Sequence, residues 1–147
     1  MDRRLLRCAT LVLIAGLSAC AGGQRSPFES AARAPTNYKS DILAFLRTYL
    51  NDPTRVREAA VAEPSLQKVD GDQRYIACVR FNARRLDGRY AGLLTTAAIF
   101  DNSGKLTRFI DLTADPTAPD AAVRARLADV CRDAAYQPFP ELERLTR

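Results

Sequence analysis

The amino-acid sequence predicts an α+β domain: an antiparallel three- to four-stranded meander with an N-terminal and a C-terminal helix packed on one face. Three observations predict it. Apolar residues recur at helical spacing over 42–50, a two-residue strand period runs through 74–83, and a second helical stripe occupies 123–134. Short glycine-containing turns separate the strand-like stretches, which favours antiparallel neighbours.

Taken in order, ordered structure is expected from Tyr38. Ile42, Phe45, Leu46, Tyr49 and Leu50 fall at i, i+3, i+4, i+7 and i+8, the stripe of a helix packed on one side. Asn51-Asp52-Pro53 should end it, because a proline disfavours helical geometry in the residue before it. Val56 to Ala62 is weakly patterned and reads as an edge strand closed by Pro64, and Asp70-Gly71-Asp72 reads as a turn. The clearest strand is Arg74 to Ala83. Tyr75, Ala77, Val79 and Phe81 face one way, and Arg74, Ile76, Cys78, Arg80 and Asn82 the other. Leu86-Asp87-Gly88-Arg89 turns the chain into a second strand, Tyr90 to Phe100, and Asp101-Asn102-Ser103-Gly104 turns it into a third, Leu106 to Leu112. Asp115-Pro116-Thr117-Ala118-Pro119 breaks the sheet pattern. Asp120 is placed to cap a closing helix with Val123, Leu127, Val130, Cys131 and Ala134 on its stripe, ended by Gln137-Pro138-Phe139-Pro140.

Residues 1–19 have the three regions of an export signal. Arg3, Arg4 and Arg7 are positive, Cys8 to Leu17 is apolar, and small residues precede Cys20. An apolar run of about ten residues is half the ~20 needed to span a bilayer as a helix. Leu17-Ser18-Ala19-Cys20 resembles the bacterial lipobox, which implies that Cys20 carries lipid on its sulfur and becomes the first mature residue. The alternatives are an ordinary secretory signal with Cys20 a plain thiol, or a buried helix. Ala21, rather than an aspartate, favours the outer membrane. Residues 20–37 are small, polar and punctuated by Pro and Gly, and read as a flexible tether to a single domain over 38–147. A linker of about 15 residues reaches roughly 20 Å.

The chain has 147 residues with 22 Lys+Arg, 17 Asp+Glu and no His. Without His, Ser-His-Asp and Cys-His catalysis, His-ligated metals and a His pH switch are excluded. Cleavage before Cys20 would remove Arg3, Arg4, Arg7 and Asp2, leaving 19 basic and 16 acidic side chains. The basic residues are interspersed with acids, whereas a nucleic-acid surface needs clustered charge, so nucleic acid is not an expected partner. Asp101-Asn102-Ser103-Gly104-Lys105 and Asp70-Gly71-Asp72 lack the alternating oxygen ligands of a calcium loop, so no metal and no cofactor is expected. No pair among Glu58, Glu63, Asp111 and Asp115 stands out as catalytic.

Cys78 and Cys131 remain as one pair after processing. Cys78 shares a strand face with Ile76, and Cys131 shares a helix stripe with Leu127 and Val130, so helix-on-sheet packing brings them together. A structural disulfide in an exported domain is the expected outcome. Two buried thiols or a redox pair are the alternatives.

Asp41 to Pro53, Cys78-Val79-Arg80-Phe81-Asn82-Ala83 and Tyr136 to Glu141 together resemble small lipoproteins of Gram-negative (proteobacterial) genomes, over about residues 38 to 145. The resemblance implies an exported lipoprotein and no particular reaction. Arg80, Arg84 and Arg85, in the densest basic stretch, mark a surface for lipid phosphates or for a partner's acidic face, or else a solvated strand end. Tyr136 and Phe139, in an aromatic-proline segment, mark a lid over the core or a docking peptide. The expected function is a non-catalytic binding or scaffolding domain held in the cell envelope, facing the periplasm, by lipid on Cys20. It would bind an envelope protein or a cell-wall component. A cell-wall-acting enzyme or an inhibitor of secreted hydrolases is the alternative.

Overall fold

Pro53 stops the first helix as its position requires: α1 spans Tyr38–Tyr49, and Leu50 is already extended at φ −75°, ψ 136°. A computed structural model describes residues 31–113 and 119–146. Cys20, the export signal, the first part of the tether and Asp115 to Ala118 lie outside the described residues. After α1 come β1 (Asp52–Ala62), β2 (Ser65–Val69), β3 (Asp72–Arg84), β4 (Leu94–Phe100) and β5 (Leu106–Asp111). The chain continues with α2 (Ala121–Arg132), β6 (Tyr136–Pro138) and the one-turn α3 (Pro140–Glu143).

The domain is α+β with an antiparallel sheet, but of six strands rather than three or four, in the order β5-β4-β3-β1-β6 with β2 also on β3. β3 is long enough to serve two partners on one side. Its N-terminal half pairs with β2, from Val69↔Asp72 to Ser65↔Ile76, and its C-terminal half with β1, through Val61↔Val79 and Arg57↔Asn82. Pro64, which donates no N–H, sits at the break between them. Asp70 and Gly71 close the β2–β3 hairpin at φ 53° and 94°, the two positive values of a tight two-residue turn.

β1 is therefore an inner strand and not an edge. Its other side carries β6, with Val61 opposite Gln137 and Ala62 opposite Tyr136. Register shifts along β1 accompany positive φ at Arg55 (57°) and Glu58 (55°), so β1 is bulged twice.

The helices do not share one face. Ile42 and Leu46 of α1 and Leu142 of α3 pack with Ala77, Val79 and Phe81 of β3. Leu127 and Cys131 of α2 pack on the opposite face with Ile76 and Cys78. Ile76, Ala77, Cys78 and Val79 are consequently all buried, as befits a strand covered on both sides. Asp120 occupies the N-cap of α2 but makes no capping bond. Its carboxylate instead accepts from Nε of Arg124 at 2.7 Å.

Ordered packing begins before Tyr38, within the stretch read as tether. The Arg33 N–H donates to the Asn102 carbonyl at 3.0 Å, and Pro35 is buried. Gly104 lies against Arg33 and Pro35 and stands at φ 84°, a backbone that side chains with a Cβ rarely adopt. The chain thus enters the domain at the β4–β5 turn.

Candidate functional site

The Cys78–Cys131 disulfide is formed, with Cα atoms 5.4 Å apart across 53 residues of sequence. It fastens the last turn of α2 to the middle of β3. Both cysteines are buried, so the bridge is a staple within the core rather than an exposed redox couple.

α2 ends immediately past the bridge, and its face of the sheet is uncovered from there on. Even-numbered residues of β3 project on this side: Arg80, Asn82 and Arg84, joined from β1 by Arg57, which stands opposite Asn82. Arg80 lies 3.9 Å above the Tyr136 ring. Its guanidinium donates to the Cys131 carbonyl at 3.3 Å, and the Tyr136 hydroxyl donates to the same oxygen at 2.9 Å. Together they satisfy one of the carbonyls left open at a helix C-terminus, where a cation is also favoured by the helix dipole. Burial raises the Tyr136 pKa above its ordinary value, with the Arg80 charge opposing.

A second cluster lies further along β3. Tyr90 is held by its hydroxyl donating to the Arg55 carbonyl at 3.0 Å, an acceptor placed there by the first bulge of β1. Arg57 stacks 4.3 Å and Arg84 5.2 Å from the Tyr90 ring. Nε of Arg84 is buried without an acceptor, so stacking rather than an ion pair holds this guanidinium. Glu58, on the second bulge, accepts from Asn82 Nδ2 at 2.9 Å, and the side-chain Oδ1 of Asn82 accepts from the Gly92 N–H at 3.1 Å. None of Arg57, Arg80 and Arg84 pairs with a carboxylate among the described residues.

Of the residues singled out in the sequence, Arg80, Arg84 and Tyr136 therefore share one open face. Arg85 is exposed in the following turn, where its N–H donates to the Arg89 carbonyl. Phe139 is placed differently. It is fully buried, and its N–H donates to the Ala59 carbonyl, so it belongs to the core and not to a surface. The aromatic-proline segment forms β6 and α3, with Phe139 and Leu142 packed in the core. Arg57 and Tyr90, missed in the sequence, complete the face. No local pattern marks them, since bulges and tertiary stacking bring them to Arg84.

The carboxylates considered for catalysis are dispersed. Glu58 is bound to Asn82, Asp111 accepts from the Thr113 N–H and hydroxyl, and Asp115 lies outside the described residues. Asp101 accepts from the N–H and hydroxyl of Ser103 and the N–H of Lys105, which lowers its pKa and makes the loop a turn in which the carboxylate is occupied by the loop itself. Among the described residues no three His, Cys, Asp or Glu side chains gather as metal ligands, and no helix is long and apolar enough to cross a membrane. No family model, curated protein or solved structure matches the chain, so the reading of its function rests on its own residues.

Proposed function

We propose that the chain is an exported, lipid-anchored envelope lipoprotein whose domain binds a protein or cell-wall component and catalyses no reaction. The observation that carries the binding reading is the open sheet face on which Arg57, Arg80 and Arg84 stack on Tyr90 and Tyr136, with no ion pair to a carboxylate among the described residues. Planar guanidinium groups laid on rings are pre-organised donors, so they lose little freedom when they engage a ligand. Export is supported by the signal pattern ending at Cys20, and a buried disulfide suits the oxidising compartment that export would reach.

Attachment is tested by Cys20→Ala. Labelled acyl chains should no longer be incorporated, and the protein should leave the membrane fraction. Sedimentation of the variant with membranes in high salt would refute the anchor. Binding is tested by cross-linking in intact envelopes followed by capture of the detergent-solubilised protein. A specific partner lost on Arg57→Ala/Arg84→Ala supports the assigned face, and the absence of any cross-linked partner would refute a binding role.

A further inference from the structure

We infer that the arginine–tyrosine face takes an extended acidic polypeptide segment of a partner protein, one with carboxylates at alternate positions. The inference deepens the binding role proposed above and rests on it. Arg80, Asn82 and Arg84 are successive outward positions of β3 on one face, so they are spaced at about 6.6–6.8 Å. Arg57 stands at the Asn82 level, from the neighbouring strand. Cationic groups therefore project from three consecutive levels at the repeat of residues i, i+2 and i+4 in an extended chain. Two carboxylates flank this row: Glu58 is turned to Asn82, and Asp52, opposite Arg84 in the register, accepts from the N–H and hydroxyl of Thr54. A segment bearing Asp or Glu on one side matches both the sign and the period.

The position of the anchor favours a protein ligand over the headgroups of the anchoring membrane. Arg33 and Pro35 pack on the Asp101–Gly104 turn, which follows the Tyr75↔Phe100 pair. Arg84 is nine residues along β3 from Tyr75, roughly 30 Å away. The chain leading back to Cys20 leaves at one end of the sheet and the arginine row stands at the other. Lipid on Cys20, as proposed above, would therefore join the domain at the end of the sheet remote from Arg84.

The test uses the mature lipidated protein in detergent micelles and two dye-labelled peptides of equal composition. In one, glutamate alternates with threonine; in the other, the glutamates are contiguous. Fluorescence anisotropy should show the alternating peptide bound about tenfold more tightly, with about tenfold lost per arginine in Arg57→Ala and Arg84→Ala and nearly all binding lost in molar salt. Arg84→Lys, which keeps the charge but not the flat stack on Tyr90, should fall between. Circular dichroism melting of each variant separates lost binding from lost folding. Equal affinity for the two peptides, undiminished binding by folded arginine variants, or no binding of the alternating peptide would overturn the inference. So would displacement of that peptide by anionic phosphatidylglycerol vesicles, which would make phosphate the ligand. A cross-linked partner insensitive to these arginines would leave the binding role standing and remove this assignment alone.

Discussion

Arg80 lies 3.9 Å above the ring of Tyr136, and both side chains donate to the carbonyl of Cys131. The end of α2, the edge strand β6 and the central strand β3 thus meet at one oxygen atom, one residue type from each.

Arg80→Ala should cost about 1–2 kcal/mol, combining a charge-assisted hydrogen bond with a partly desolvated cation–π contact. Tyr136→Phe should cost about 1 kcal/mol through the hydroxyl alone. Urea denaturation of both single variants and the double variant should show that the losses do not add, because the two groups share an acceptor. Strict additivity would mean that the shared carbonyl does not couple them.

The disulfide should contribute roughly 2–5 kcal/mol. Cys131→Ser should lower stability by that amount, and amide exchange should accelerate in α2 before it does in β3, because the helix loses its covalent tie while the sheet keeps its ladder. Titration of the denatured, unreduced domain should find neither Cys78 nor Cys131 reactive. Two reactive thiols from these positions would refute the bridge.

Arg55 stands at φ 57° with an exposed side chain, and only its backbone carbonyl engages Tyr90. Arg55→Gly should therefore stabilise the domain by about 0.5–1 kcal/mol, because glycine adopts this backbone without a Cβ clash. Arg55→Val should destabilise it by more than that. Thermal denaturation of the two variants decides whether β1 carries this strain; a glycine variant less stable than the parent would show that it does not.

Asp101 titrates below its ordinary value because hydrogen bonds from the Ser103 hydroxyl and the Lys105 and Ser103 N–H groups favour the carboxylate. A depressed folded-state pKa contributes stability above the unfolded-state value, and that contribution is lost as pH falls through the folded value. NMR titration should place the Asp101 carboxyl below 3.8. Asp101→Asn should lower stability at neutral pH and make it less steeply dependent on acid. A parent-like acid limb in that variant would exclude Asp101 as a contributor.

What could be read from the sequence was whatever has a local period. The alternation of Arg74 to Ala83 marks β3, and the Leu127, Val130, Cys131 stripe marks α2 and, with the Cys78 face, the disulfide. The same residues carry the cue to two-sided cover: Cys78 and Val79 point to opposite faces and are both apolar, which calls for packing on both sides. β1 lost its alternation to its bulges, which put exposed Arg57 and Glu58 side by side. Tyr136–Pro138 reads as a helix terminator because Pro138 is a poor strand residue, yet on an edge its missing N–H costs nothing. The Tyr90 cluster had no local signal at all, since Arg57 and Tyr90 are neither close in sequence nor in one repeat.

Phe139, Leu142 and Leu145 fill the core face that Ile42 and Leu46 open. A polypeptide made from its N-terminus therefore carries β1 with a bare flank and an unfilled hollow beneath Phe81 until Leu145 has emerged. Chains truncated before Phe139 should stay protease-sensitive even with β5 and α2 complete, and resistance should appear in one late step when Leu145 is included.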